Sequence, residues 1–416
     1  MRKDILSLEM QNSILQEYEK IWKNLKKETE KEMSMEQAIT YLKLCSEAYG
    51  RDISPFSVSV CNEILQYCLG KIKKEIELKK TGAVAGMYCG IGLLAHSIKI
   101  LCDKGCKLDG FNEFCNKVLS QMYTRFCENA LTDPVKISDY DMLYGVSGVL
   151  YHLLDINSLE KDATILELMK YLVKLSSDKN YKGHKLLYYH IERDQQYLQI
   201  EKEDQPDGHL NLGLAHGILG PLIALAKAKM LHYEVEGLDE AIHKLFEIYR
   251  KFEKEENGIL KYPMQLVVHN GYCPEKSRYS IHSGWCYGNA GTVRGLMKVA
   301  FYLGEEREYQ YYKQALLKII DQDLDDYELQ VPFLCHGYAS VVEIQISAYK
   351  ETGDVAFVKN LERNVRKLLE EHCKYLKEDD EYAKDWTLLE GQGGVILTLL
   401  DAISMDVLQG KLLMID

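Results

Sequence analysis

Cys286 and the pair Cys335-His336 are the residues in this sequence best suited to chemistry. Two thiolates and an imidazole make a zinc-binding set, and three protein ligands leave a fourth tetrahedral position open to water or substrate. A closed structural site would have a fourth ligand close in sequence, and none stands out. Read alone, Cys335-His336 is a core cysteine beside a hydrogen-bonded histidine, because buried free cysteine behaves as a small hydrophobe. A position shared with Cys286 in the fold is what makes a metal site of them. His216, in GLAHGILG, and Asp141, in YDMLYG, are the candidates for acid–base work. Their ordinary readings are a satisfied core histidine and a turn or N-cap aspartate. Next to a histidine, an aspartate either orients the ring or holds the proton itself.

What places these residues together is a repeat. Six stretches begin with one or two glycines and continue as an apolar run: MYCGIGLLAHSI (87–98), LYGVSGVLYHLL (143–154), AHGILGPLIALA (215–226), CYGNAGTVRGLM (286–297), CHGYASVVEIQI (335–346) and LEGQGGVILTLL (389–400). They align on Gly92, Gly148, Gly220, Gly291, Ser340 and Gly394, with gaps of 56, 72, 71, 49 and 54 residues. Such intervals hold two helices and their loops. Four residues before each aligned position stand Tyr88, Tyr144, His216, Tyr287, His336 and Glu390. One residue earlier come Cys286 and Cys335, in consecutive repeats. Equivalent positions of a ring lie at one height, so Cys286, Cys335, His336 and His216 are expected on one rim. Trp285 and Tyr287 flank the first cysteine as candidate pocket wall.

The elements that carry this rim follow from the pattern. Each apolar run lacks a polar face and reads as an inner helix covered on most sides. Its glycines permit positive φ or a close backbone approach. Amphipathic stretches at 15–33, 61–80, 164–175 and 312–320 supply an outer layer, and only seven prolines interrupt the chain. A closed ring of helix pairs buries its open faces without caps. The expected fold is therefore all-α, a double-layered α/α toroid forming one domain over 1–416, with an open helical solenoid as the rival. Residues 183–208 read as a small β-rich insertion. Within it, 183–203 holds two Tyr- and Ile-rich runs suited to strands. The apolar stretch 261–268, bracketed by Asn257-Gly258 and Asn270-Gly271, reads as loops or as a small β insertion.

Composition narrows the class. Of 416 residues, 46% are hydrophobic and 27% charged, the balance of a folded chain with a large core. A net charge of −12 argues against nucleic acid as the partner. No stretch of about 18 apolar residues offers a membrane span, and the N-terminus lacks the apolar core of a secretory signal. The chain is read as cytoplasmic, so its twelve cysteines are expected reduced. Cys45, Cys61, Cys68, Cys115 and Cys127 lie at helical spacing among apolar residues, as core positions do.

GWCYGNAG (284–291), CHG (335–337), LAHGILG (214–220), YGVSG (144–148) and EGQGG (390–394) together resemble the lanthionine synthetase C-like family, the LanC cyclases. The likeness runs from about residue 82 to 400, and the length suits a stand-alone lantibiotic cyclase of the nisin-cyclase type. The resemblance implies a toroid with one Zn²⁺ held by Cys286, Cys335 and His336. It implies His216 and Asp141 as acid–base residues and Tyr287 as a further site residue. Family members commonly have Arg four residues before the first zinc cysteine. Here His282 stands there, and the nearest preceding arginine is Arg278, so either His282 or Arg278 takes that role.

The activity so implied is zinc-dependent addition of peptide cysteine thiols to dehydroalanine or dehydrobutyrine, closing lanthionine and methyllanthionine rings. A peptide thiol has a pKa of about 8.5, and its thiolate is the nucleophile. Attack leaves an enolate, which His216 or Asp141 protonates. The implied partners are a dehydrated lantibiotic precursor peptide with its leader, a dehydratase and an ABC exporter, the last two placing the enzyme peripherally at the inner face of the membrane. Alternatives are glutathione addition to dehydroamino acids by a LanC-like protein, and a zinc-stabilised helical scaffold that binds peptides. A zinc prenyltransferase is a third toroid, but its metal set includes a carboxylate.

Overall fold

A computed structural model of the chain describes residues 5–51, 53–77, 86–130, 134–156 and 161–416. Residues 78–80 of the amphipathic stretch 61–80 and residues 82–85 at the start of the family likeness lie outside them. Among the described residues the architecture is helical, with six short strands.

Each of the six apolar runs forms a helix: Gly90–Asp103, Val146–Leu153, Leu219–Met230, Asn289–Leu303, Tyr338–Thr352 and Gln392–Ser404. The aligned small residues Gly92, Gly148, Gly220, Gly291, Ser340 and Gly394 all fall in the first turn. Every residue from Leu219 through Ala228 is buried, so that helix has no solvent face. At ~1.5–3 kcal/mol per buried Leu or Ile, such burial outweighs the ~1 kcal/mol that a helical glycine costs. The helices between these runs are one-sided. In Leu238–Phe252 the buried residues are Leu238, Ala241, Ile242, Leu245, Phe246, Tyr249 and Phe252, the stripe of a helix lying on a core.

Close approach, not positive φ, explains the entry glycines of the helix Asn289–Leu303. Gly288 has φ −82°, open to any residue. A Cβ there would lie 2.1 Å from the Gly284 carbonyl oxygen, and one on Gly291 would lie 1.9 Å from that of Trp285.

The chain divides into two compact units. One comprises Met1–Leu119, Leu329–Gly410 and Asp416. It holds the inner helices Gly90–Asp103, Tyr338–Thr352 and Gln392–Ser404, and one more that the repeat does not reveal. Met35–Ala48 packs between Gly90–Asp103 and Gln392–Ser404 and is buried from Tyr41 to Ala48. It starts from a Ser34/Gln37 capping box instead of a glycine turn, and its interior Lys43 pairs with Glu47.

The other unit comprises Ser120–Glu328 with Lys411–Ile415. Its inner helix Leu219–Met230 packs against both Val146–Leu153 and Asn289–Leu303. The segment 411–415 is drawn into this core: Trp285 Nε1 donates to Leu413 O at 3.0 Å and Arg294 Nη2 to Ile415 O at 2.8 Å.

All the strands lie in this second unit. β1 (Asp178–Tyr181) and β2 (His184–Leu187) form a hairpin, and β3 (His209–Asn211) pairs with β6 (Gln265–Val267). β4 (Lys254–Glu256) and β5 (Ile259–Lys261) flank Asn257-Gly258, both at positive φ as a type I′ turn requires. Of the two runs in 183–203, the first contains β2. The second, Tyr197–Ile200, leads into the helix Gln199–Asp204, so it contributes no strand. The stretch 261–268 holds the end of β5 and then β6, parted around Pro263, which has no N–H to give a ladder.

Cys45, Cys61, Cys68, Cys115 and Cys127 are buried, and none of the twelve cysteines is in a disulfide. Burial pushes the thiols of Cys68, Cys115 and Cys127 up to about 12, which makes them inert.

Candidate active site

Two loops of the second unit, those entering the helices Leu219–Met230 and Asn289–Leu303, carry His216 on one and Cys286 with Tyr287 on the other. They are tied together by backbone: Leu214 N–H donates to Cys286 O at 2.8 Å. Gly213 sits against the Tyr287 ring, where an added Cβ would be 2.6 Å from Cδ1 and Cε1. Only glycine allows that approach.

Asp141 follows the short helix Ile137–Tyr140 and is fully buried. Its Oδ1 accepts the N–H groups of Tyr144 (2.7 Å) and Gly145 (2.8 Å), fixing the turn into Val146–Leu153. Its Oδ2 lies 2.7 Å from His216 Nδ1. A carboxylate there requires hydrogen on Nδ1, which leaves Nε2 with its lone pair. Among the described residues nothing bonds Nε2, and the His216 side chain is 25% exposed. Two aromatic rings flank it, Tyr287 at 6.3 Å and Tyr197 at 6.4 Å between centroids.

Tyr287 Oη accepts Asn211 Nδ2 at 2.8 Å. Burial pushes its phenol well above the usual range, so at neutral pH it is an O–H group. Trp285 is fully buried, which makes it core and not pocket wall.

Cys286 stands in the second unit, and Cys335 with His336 in the first. Two thiolates with one imidazole are donors that zinc takes. Cys335 is held by its N–H on Leu389 O at 2.9 Å, and Phe333 meets the His336 ring edge-on.

The remaining candidates differ in placement. His282 is half-buried; its Nδ1 accepts Gly284 N–H at 3.2 Å and its carbonyl accepts Asn289 N–H at 3.0 Å, inside the Cys286 loop. The Arg278 side chain is 79% exposed and pairs with Asp204 at 3.1 Å. It makes no bond to the other candidate residues. Of the other aligned residues, Tyr88 is half-buried, whereas Tyr144 and Glu390 are exposed.

Sequence reasoning missed Asn211 and Tyr197. Asn211 stands five residues before His216 with nothing to distinguish it from a turn asparagine. Tyr197 belongs to the insertion, whose placement no periodicity reveals.

The family model described as lanthionine synthetase C-like protein matches residues 38–412. The nisin biosynthesis protein NisC of Lactococcus lactis subsp. lactis is 27% identical over 373 residues, 86% of this chain and 82% of that protein. The solved structure of a nisin cyclase matches with a TM-score of 0.80 and 24% identity, covering 96% of this chain and 97% of that one. This likeness shows the fold to be an α/α toroid, as expected, and not an open solenoid.

Proposed function

The chain belongs to the lanthionine synthetase C-like family, and from that premise we propose that it is a lanthipeptide cyclase, adding peptide cysteine thiols to dehydroalanine or dehydrobutyrine. The observation that carries this reading is the His216–Asp141 pair, stitched through Leu214 to the loop bearing Cys286 and Tyr287. We assign Cys286, Cys335 and His336 as zinc ligands. Bound zinc supplies Lewis-acid activation, keeping as thiolate a peptide thiol whose pKa of about 8.5 would leave it mostly protonated.

The protein's own groups handle the proton and the developing charge. In the net reaction the S–H adds across Cα=Cβ: a sulfur–Cβ bond forms and the π pair moves onto the carbonyl oxygen as an enolate. The proton ends on Cα, so no other reactant is consumed. His216 Nε2 is the group that takes a proton and returns it. Asp141 has both oxygens engaged by Tyr144, Gly145 and His216, so its part is to hold the imidazole and its tautomer. The neutral Tyr287 O–H is a donor for the enolate oxygen, a kind of contact whose loss costs about 10²–10³ in rate. His282, within the Cys286 loop, is assigned the position of the family arginine, because Arg278 is engaged with Asp204.

The substrate on this reading is a dehydrated lantibiotic precursor carrying its leader. A dehydratase acts before this step and an ABC exporter after it, at the inner face of the membrane. Among the described residues no helix is long and apolar enough to cross one.

The test is incubation of the protein with a dehydrated precursor peptide. Cyclisation is an isomerisation, so the mass stays constant while thiols open to alkylation disappear. A gain of one glutathione would mark the thiol-adding alternative, and persistence of free thiols with no mass change would mark a binding scaffold.

A further inference from the structure

We propose that Asn211 is a positioning residue that turns the Tyr287 hydroxyl hydrogen toward the substrate; the inference rests on the cyclase reading above. Asn211 is fully buried on β3. Its amide has one workable orientation. Oδ1 accepts the Gly213 N–H at 3.0 Å, and a flipped amide would set two donors against each other. Nδ2 therefore faces Tyr287 and donates to its oxygen at 2.8 Å.

The direction of that bond decides what the tyrosine can do. A phenol carries one hydrogen and accepts on the same oxygen. With Asn211 as donor, the hydrogen cannot point back at Asn211, and among the described residues nothing else accepts it. Tyr287 thus presents an unused donor, next in sequence to Cys286 and beside the His216 ring. Through Oδ1 the same amide also holds Gly213 in the 211–217 loop, and the backbone carbonyl of Asn211 accepts Ile218 N–H at 3.0 Å. One side chain thus bonds both the loop bearing the histidine and the phenol.

An aspartate at 211 would keep the shape and reverse the polarity. Its carboxylate still accepts from Gly213, but it takes the Tyr287 hydrogen for itself. Asn211→Asp therefore tests direction, whereas Asn211→Ala only frees the hydroxyl to rotate.

The experiment measures cyclisation of a dehydrated peptide by wild type, N211D, N211A, Y287F and the double variant N211D/Y287F, with metal content and thermal melting alongside. N211D is expected to lower kcat by about 10²–10³-fold, with KM near the wild-type value, and N211A to lower it less. In the Y287F background N211D should have no further effect on kcat. A wild-type kcat in N211D overturns the proposal, as does a loss that persists undiminished when Tyr287 is already Phe. Melting that collapses in both N211D and N211A also overturns it, by making Asn211 a residue of the fold alone. Absence of cyclisation in the wild type is a different failure, that of the cyclase reading.

Discussion

His216 Nδ1 lies 2.7 Å from Asp141 Oδ2, a bond that spans 75 residues of sequence and joins the entry loops of two inner helices. It decides which nitrogen faces the reacting atoms. His216→Ala should leave the metal bound and abolish cyclisation. Asp141→Asn is the finer test. An amide can still accept from Tyr144 and Gly145, but its NH₂ then faces Nδ1 and forces hydrogen onto Nε2, removing the basic lone pair. A loss of kcat of about 10²–10⁴ is expected, with metal content unchanged. Full activity in D141N would show that the tautomer is immaterial.

The assignment of Cys286, Cys335 and His336 as zinc ligands is tested separately, by elemental analysis. Wild type should carry one zinc per chain, and Cys286→Ala and Cys335→Ala should each lose it. Because the helical packing is apolar and these residues sit in entry loops, helical circular dichroism should not change in either variant. Metal retained in both variants, or none in the wild type, would remove the site.

A second buried polar cluster predicts how stability follows pH. Glu343 and Asp401 are fully buried in the first unit. Glu343 Oε1 accepts Thr398 and Gln409, and Asp401 Oδ2 accepts Leu408 N–H. Their other oxygens have no donor except one proton shared between the two carboxyls. Burial pushes Glu343 up to about 7, with Glu47 adding repulsion, and raises Asp401 as well. A folded value above the unfolded one means stability that is complete below pH 4.5 and is lost as pH rises through 7. The loss is on the order of 2–3 kcal/mol. Glu343→Gln removes one of the two raised carboxyls but leaves Asp401 buried, so its melting temperature should decline less steeply between pH 5 and 8 than that of the wild type. Parallel curves for the two proteins would refute the shared proton.

How much of this was legible in the sequence depended on which interactions leave a periodic trace. The six glycine-led runs were legible because an inner helix must be apolar all round and its entry turn excludes a Cβ, as at Gly288 and Gly291. Aligning them put His216 and Cys286 at neighbouring register positions of consecutive runs, and the bond from Leu214 N–H to Cys286 O joins their two loops. The helix Met35–Ala48 escaped because a serine cap replaces the glycine turn and a buried Lys43–Glu47 pair breaks its apolar pattern. Asp141 was found, but its role was not. The choice between orienting and proton-carrying rests on three accepted hydrogen bonds, and hydrogen-bond partners far apart in sequence have no signature in one chain. The same holds for Asn211, whose two partners lie 2 and 76 residues away.

The strands next to the site carry the last prediction. His190 and His209 are fully buried, and the Ile191–His209 bridge links their backbones beside β6. Burial pushes each imidazole down to about 4; Lys179 lowers His190 a little further, while Glu192, Asp207 and Glu201 pull the other way. Among the described residues His190 Nδ1 and His209 Nε2 have no partner to share an added proton. In the unfolded chain these rings titrate near 6.5, so acid is taken up there first. Stability is therefore complete above pH 6.5 and falls as pH drops toward 4, by about 3 kcal/mol per histidine at most. Amides of β3 and β6 should lose hydrogen-exchange protection between pH 6.5 and 4.5 before those of Leu219–Met230. His209→Gln should flatten that dependence. Because β3 ends at Asn211, cyclisation should fail in acid while the helices are still folded. Protection that falls uniformly across strands and inner helices would mean that the histidines do not set the weak point.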